Sequence, residues 1–248
     1  MIGAFCIIRH GESLWNKENR FTGWSDVDLS EEGKKEAIEG GKLLKETGYT
    51  FDVAYTSYLK RAIHTLNYVL DVLDENALLV IKAWQLNERH YGVLQGLNKA
   101  ETAGSIRGRT SARLASRLCY LPPLLKGDDP RSPRLQSMYR HVPQEDLPLG
   151  ESLAITIKRV VPYYQEHILR ELKEGKNVLV AAHGNSLRAL VKYLDVLSDE
   201  EIVGVNIPTA IPLVYEFDDM YVIDKHYLGD QKVLTAKMQA VKNQGKAK

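Results

Sequence analysis

The chain carries two short apolar runs that each stop abruptly at a histidine followed by a glycine. Ala4-Phe5-Cys6-Ile7-Ile8 leads into Arg9-His10-Gly11-Glu12-Ser13, and Val178-Leu179-Val180-Ala181-Ala182 leads into His183-Gly184-Asn185-Ser186. Continuous apolar runs of this length, ended by glycine and polar residues, are expected as parallel strands buried on both faces. Open α/β sheets bind their ligands beyond the carboxyl ends of such strands. An imidazole at each of two strand ends therefore predicts chemistry on an anion, with one histidine as nucleophile.

The rest of the chain supplies the matching helices. Ser30 before Glu31-Glu32-Gly33 predicts a capped helix through about residue 47. A strand is expected over 51–56, a helix capped by Ser57 through about Leu73, and a strand over 78–84. Helix 152–173, strand 177–182, helix 186–196 and strand 212–217 continue the rhythm, which implies a mostly parallel sheet. Residues 92–150 interrupt it, and six of the nine prolines fall between Pro122 and Pro148. That stretch reads as an irregular insertion over the strand carboxyl ends, within a single catalytic domain spanning 1–231. Residues 232–248 hold five lysines and no acid, and read as a weakly ordered, mobile basic tail.

Composition narrows the function classes. Across 248 residues the formal net charge is +1, with 26% charged and 44% apolar residues, so no global field draws the chain to nucleic acid or membrane. The amino-terminal stretch lacks a basic segment before its apolar run and is not expected to be a signal peptide. No apolar run approaches the roughly 20 residues of a membrane span. Of the two cysteines, Cys6 is expected as a buried free thiol, and the expected compartment is the cytoplasm.

Anion recognition must then come from local clusters. Arg9, His10, Arg61, Glu88 and His183 are all expected near one sheet rim, with Arg188 in the first turn after His183. Helix amino termini and arginine forks favour phosphate. An imidazole flanked by arginines suits attack on phosphorus, with guanidinium groups stabilising the equatorial oxygens. Glu88 is the candidate general acid and base. Taken singly, Arg61 and Arg188 read more readily as surface ion-pairing residues, and Glu88 could simply pair with Arg89. His64, His90, His141, His167 and His226 read as structural or exposed, and Trp15, Trp24 and Trp84 as packing residues.

The longer phrases resemble a family. Arg9-His10-Gly11-Glu12-Ser13 with Trp15 to Trp24, Tyr55-Thr56-Ser57 with Leu59-Lys60-Arg61-Ala62, Leu86 to Gly92, Leu94 to Lys99, Ala181 to Arg188 and Asn206-Ile207-Pro208-Thr209 resemble cofactor-dependent phosphoglycerate mutases of the histidine phosphatase superfamily. The resemblance implies an α/β fold, a three-layer α/β/α sandwich with a mostly parallel sheet. It implies that His10 is phosphorylated by 2,3-bisphosphoglycerate and that Glu88 moves the proton, while His183, Arg9 and Arg61 stabilise the transferring phosphoryl group. Ser13, Asn16, Thr22, Gly23, Gly184 and Asn185 would hold phosphate or carboxylate oxygens, with Arg89, Tyr91 and Lys99 gripping the substrate. The implied reaction interconverts 3-phosphoglycerate and 2-phosphoglycerate in glycolysis and gluconeogenesis, without a metal, in a cytoplasmic homodimer. The basic tail would cover the phosphohistidine.

One segment departs from the family. Residues 102–127 contain no acid, where the family carries a charged helix ending in tandem arginines before a proline pair. Counted back from Pro122-Pro123, those arginines would fall at Ala115 and Ser116. A compensated reading-frame shift would produce such a break; true divergence is the alternative. Arg113 and Arg117, four apart, are candidate substitutes on one helix face. Two other readings stay open at this stage: a phosphatase of bisphosphoglycerate or another small phosphoester, and a catalytically impaired protein that binds phospholigands.

Overall fold

A computed structural model describes residues 2–105, 118–218 and 221–243. Its centre is a six-stranded sheet in the order β3-β2-β4-β1-β5-β6, formed by β1 (Phe5–Arg9), β2 (Val53–Thr56), β3 (Val80–Lys82), β4 (Val178–Ala182), β5 (Leu213–Asp218) and β6 (Tyr221–Tyr227). The first four in that order run parallel, whereas β5 is antiparallel to β1 and β6 to β5. β6 was not expected. Its sequence, Tyr-Val-Ile-Asp-Lys-His-Tyr, is largely exposed, and pairing with β5 rather than a buried apolar face makes it a strand.

Strand alternation builds the two cores. Phe5, Ile7, Val53, Tyr55, Val178 and Val180 face one side, against Val160, Tyr164, Ile168, Leu172, Leu187 and Leu190. Those partners come from α5 (Leu153–Tyr163), a π-turn (Tyr164–Ile168), α6 (Leu169–Lys173) and α7 (Gly184–Leu194). Cys6, Ile8, Ala54, Leu179 and Ala181 face the other side, against Leu44, Leu66, Val69 and Leu70 from α2 (Glu31–Thr47) and α3 (Lys60–Leu73). The result is the three-layer α/β/α sandwich, and Cys6 is the expected buried thiol.

One local expectation needs correction. Ser30 caps α2 as expected, accepting from the Gly33 N–H, but α3 begins after Leu59, and Ser57 is not its cap. The stretch from Lys232 is helical as far as Asn243, forming α9 (Gln231–Asn243), whose Leu234 is buried. Within 92–150, Tyr139 and Leu147 pack on Trp24 in a small apolar cluster with Tyr58 and Trp84. Those three aromatic residues follow β1, β2 and β3, so this part of the stretch lies beyond the strand carboxyl ends.

Candidate active site

The loop after β1 is held down by close backbone contact. A Cβ on Gly11 would sit 2.2 Å from the Gly33 carbonyl oxygen, and one on Gly33 would sit 2.0 Å from the Glu12 carbonyl oxygen. Glycine at both positions lets the amino end of α2 press against the loop that carries His10. The Gly11 N–H also donates to Thr65 Oγ1 on α3 at 3.1 Å.

His10 is almost fully buried, and its Nδ1 lies 2.7 Å from the Gly11 carbonyl oxygen. A carbonyl only accepts, so Nδ1 carries the proton and Nε2 keeps its lone pair. Arg61 Nε donates toward that lone pair at 3.3 Å. Burial, then the charges of Arg61 and Arg9, hold the His10 pKa well below the ordinary histidine value. The ring is thus neutral and nucleophilic at neutral pH. The His183 ring lies beside it, edge-on, with ring centroids 5.0 Å apart.

Arg61 is buried and oriented by two backbone acceptors, the Ser25 carbonyl at 3.0 Å and the Gly23 carbonyl at 2.7 Å. Arg9 Nη1 donates to the Ile207 carbonyl at 2.8 Å, and its Nε is buried without a partner. Glu88 Oε1 accepts three N–H groups: Arg89 N at 2.8 Å, Asn185 N at 3.0 Å and Asn185 Nδ2 at 2.9 Å. That leaves Glu88 Oε2 for proton transfer.

Arg9, His10, Arg61 and Glu88 line a cavity of about 220 Å³ together with Asn16, Phe21, Thr22, Gly23, Tyr91, Lys99, Gly184, Asn185, Arg188 and Val241, while the fully buried His183 lies beside His10 and is not part of the lining. Four cationic side chains, Arg9, Arg61, Lys99 and Arg188, face one carboxylate, Glu88. Thr22 Oγ1 and Arg188 Nε are buried without partners, as Arg9 Nε is. Such groups are costly unless an anion satisfies them. Lys99 feels burial and the charge of Arg9, which bring its pKa down to about 8. Among the described residues no group of three or more His, Cys, Asp or Glu side chains is arranged to hold a metal ion.

Residues 5–131, half of the chain, match the histidine phosphatase superfamily (branch 1). The chain belongs to the histidine phosphatase superfamily. It is 58% identical over 244 residues, 98% of each chain, to a 2,3-bisphosphoglycerate-dependent phosphoglycerate mutase of Treponema denticola. It is 60% identical over 242 residues, 97% of each chain, to the protein of the same name from Lachnoclostridium phytofermentans. Among solved structures, a putative α-ribazole-5′-P phosphatase from Escherichia coli superposes with a TM-score of 0.70 at 20% identity, over 93% of this chain and 98% of that one. A mycobacterial glucosyl-3-phosphoglycerate phosphatase superposes with a TM-score of 0.68 at 21% identity, over 91% and 97%. At that identity the two structures speak for the superfamily fold alone.

Within this superfamily site, not every expected residue faces the cavity. Ser13 is buried: its hydroxyl donates to Asn16 Oδ1 at 2.8 Å and accepts from Asn16 N at 3.1 Å. It orients Asn16 rather than lining the cavity. Arg89 donates to the Glu151 and Tyr120 carbonyls, both at 2.7 Å, and lies over the Tyr91 ring at 5.2 Å, behind the wall that Tyr91 forms. Asn185 holds Glu88 and also donates to the Tyr91 hydroxyl at 3.1 Å. Arg113 and Arg117 lie outside the described residues.

Several residues of the site went unread in the sequence. Trp24, taken for packing, also donates its indole N–H to the Glu88 carbonyl at 2.5 Å. Ser57 Oγ lies 2.7 Å from His183 Nε2. Val241 brings α9 to the cavity wall. A serine or valine carries no chemical signature of such a role, and only its neighbours in space reveal it.

Proposed function

We infer that the protein interconverts 3-phosphoglycerate and 2-phosphoglycerate, in glycolysis and gluconeogenesis, through a phosphohistidine at His10 primed by 2,3-bisphosphoglycerate. The observation that carries this reading is His10, its Nδ1 bonded to the Gly11 carbonyl and its Nε2 left unprotonated, in one cavity with Glu88 and four cations. The relatives named above, alike over nearly their full length, support the substrate assignment.

The cavity suits a small, multiply charged acid: Arg9 Nε, Arg188 Nε and Thr22 Oγ1 are left to meet an acceptor or donor there. When bound, 2,3-bisphosphoglycerate supplies a phosphoryl group to His10. His10 Nε2 forms the N–P bond as the P–O bond breaks. Arg9 and Arg61 hold the equatorial oxygens, whose charge they stabilise. Glu88 Oε2 delivers a proton to the departing oxygen and takes one back from the hydroxyl that receives the phosphoryl group. Lys99 and Arg188 counter the remaining charge of the substrate, while Tyr91 and Phe21, with ring centroids 5.2 Å apart, wall the cavity.

The test is incubation with 3-phosphoglycerate, with and without 2,3-bisphosphoglycerate, following 2-phosphoglycerate and free phosphate together. Isomerisation stimulated by the bisphosphorylated compound supports the reading. Release of phosphate without isomerisation replaces it with a phosphatase. The same reading carries with it a cytoplasmic homodimer, for which light scattering on the eluting protein would give twice the chain mass.

A further inference from the structure

The side-chain amide of Asn185 has three neighbours, and together they decide which way it points. Its Nδ2 donates to Glu88 Oε1 at 2.9 Å and to the Tyr91 hydroxyl at 3.1 Å, while its Oδ1 accepts from Arg188 Nη1 at 3.2 Å. A guanidinium only donates, so the amide must turn its oxygen to Arg188 and its NH₂ to the other two. The Tyr91 hydroxyl is then the acceptor in its bond with Asn185, and its own proton needs another acceptor. Among the described residues none lies within hydrogen-bonding distance of that hydroxyl, and Tyr91 lines the cavity. An oxygen of the bound acid is the acceptor that remains.

We propose that Arg188 is a positioning residue: its fork fixes the Asn185 amide, and that amide holds the Tyr91 hydroxyl as a donor toward the bound acid. This rests on the small phosphorylated substrate assigned above. Turned the other way, the amide would set its oxygen against Glu88 Oε1, an acceptor against an acceptor. It would also capture the Tyr91 proton that the ligand otherwise receives. Glu88 Oε1 keeps the N–H groups of Arg89 and Asn185 in either case, so Tyr91 is the more sensitive of the two groups.

The helix explains why Arg188 can do this. Asn185 and Arg188 are three apart on α7 and share one face. Asn185 is in the first turn, where its backbone N–H has no partner inside the helix and serves Glu88 instead. The other arm of the fork, Arg188 Nη2, donates at 2.5 Å to the Ile202 carbonyl in the short helix α8 (Glu201–Gly204). Two anchors on one planar group fix its direction, and a single point charge would not.

The test is the Kd for 3-phosphoglycerate, measured by titration calorimetry on the unphosphorylated protein, which needs no turnover. Tyr91→Phe keeps the ring and is expected to weaken binding on the order of tenfold, the loss of one donor to a charged group. An unchanged Kd would overturn the donor assignment. Arg188→Met should weaken binding at least as much, and adding Tyr91→Phe to it should cost less than about twofold more, because the hydroxyl has already lost its direction. Fully additive losses would mean that Arg188 acts by charge alone and would sink the proposal. Arg188→Lys decides where Arg188→Met fails to fold, since it keeps the charge without the fork. A Kd near that of the unsubstituted protein would overturn the positioning role, and a weakened one supports it. Labelling of His10 by ³²P-bisphosphoglycerate should keep its amplitude in Arg188→Lys; loss of the label would make Arg188 a merely structural residue. Failure of the mutase reading would appear separately, as absent isomerisation in the unsubstituted protein with these affinities unaltered.

Discussion

Arg159 Nη2 donates to the backbone carbonyl of Glu88 at 3.0 Å, and the Trp24 indole donates to the same oxygen. The rest of the Arg159 guanidinium reaches the Gln85 and Asn87 carbonyls and grips Glu151 through Nε–Oε1 at 2.7 Å and Nη2–Oε2 at 2.9 Å. Glu151 Oε2 in turn accepts the His90 N–H at 2.8 Å. The candidate acid and base thus sits on a backbone segment clamped by one buried ion pair from α5.

Arg159→Met is expected to cost about 3–5 kcal/mol of stability, because it strands the buried Glu151 carboxylate. Urea unfolding measures that loss. Steady-state kinetics on the folded fraction should show kcat reduced more than KM is raised, since the clamp positions Glu88 rather than touching substrate.

His10→Ala should abolish phosphoenzyme formation. Labelling from ³²P-bisphosphoglycerate, followed by acid-sensitivity of the label, checks this. Persistent acid-labile label in the variant would assign the nucleophile elsewhere.

Stability should fall as pH drops below about 6.5. His10 and His183 have native pKa values well below the ordinary histidine value, and burial followed by the Arg159 charge takes His90 to about 3. Below pH 6.5 the unfolded chain binds these protons while the native state does not, so each imidazole withdraws about 1.4 kcal/mol per pH unit. The loss continues until the native value is reached. Thermal midpoints at pH 7.5, 6 and 5 test it, and an unchanged midpoint between pH 6 and 5 would mean that these rings are charged in the native state.

Substrate binding should weaken above pH 8, where Lys99 loses its charge. KM for 3-phosphoglycerate is expected to rise between pH 7 and 9. Lys99→Met should show a higher KM without that limb.

The carboxyl-terminal helix is tethered by Lys237, whose Nζ bonds Glu36 Oε1 at 2.8 Å. The same Glu36 accepts from the Glu12 N–H and Thr209 Oγ1, joining α9 to the loop after His10. Freeing α9, with Val241 in the cavity wall, should admit water. Lys237→Met is expected to raise phosphate release severalfold relative to isomerisation, read in one reaction by following both products.

The sequence by itself determined the strands that end at His10 and His183, because a buried parallel strand needs a continuous apolar run and its end needs polar residues. It also determined the family phrases that carry Arg9, Arg61, Glu88 and Lys99. Tertiary structure decided what those phrases leave blank. Whether Ser57 caps a helix or holds an imidazole depends on the register of β2 against β4, and whether Ser13 meets ligand or Asn16 depends on a turn. β6 exists through its pairing with β5, and α9 is anchored by Lys237, which bonds Glu36 201 positions away. Hydrophobic periodicity reports burial along one element; it carries no information about which side chains different elements bring within hydrogen-bonding distance.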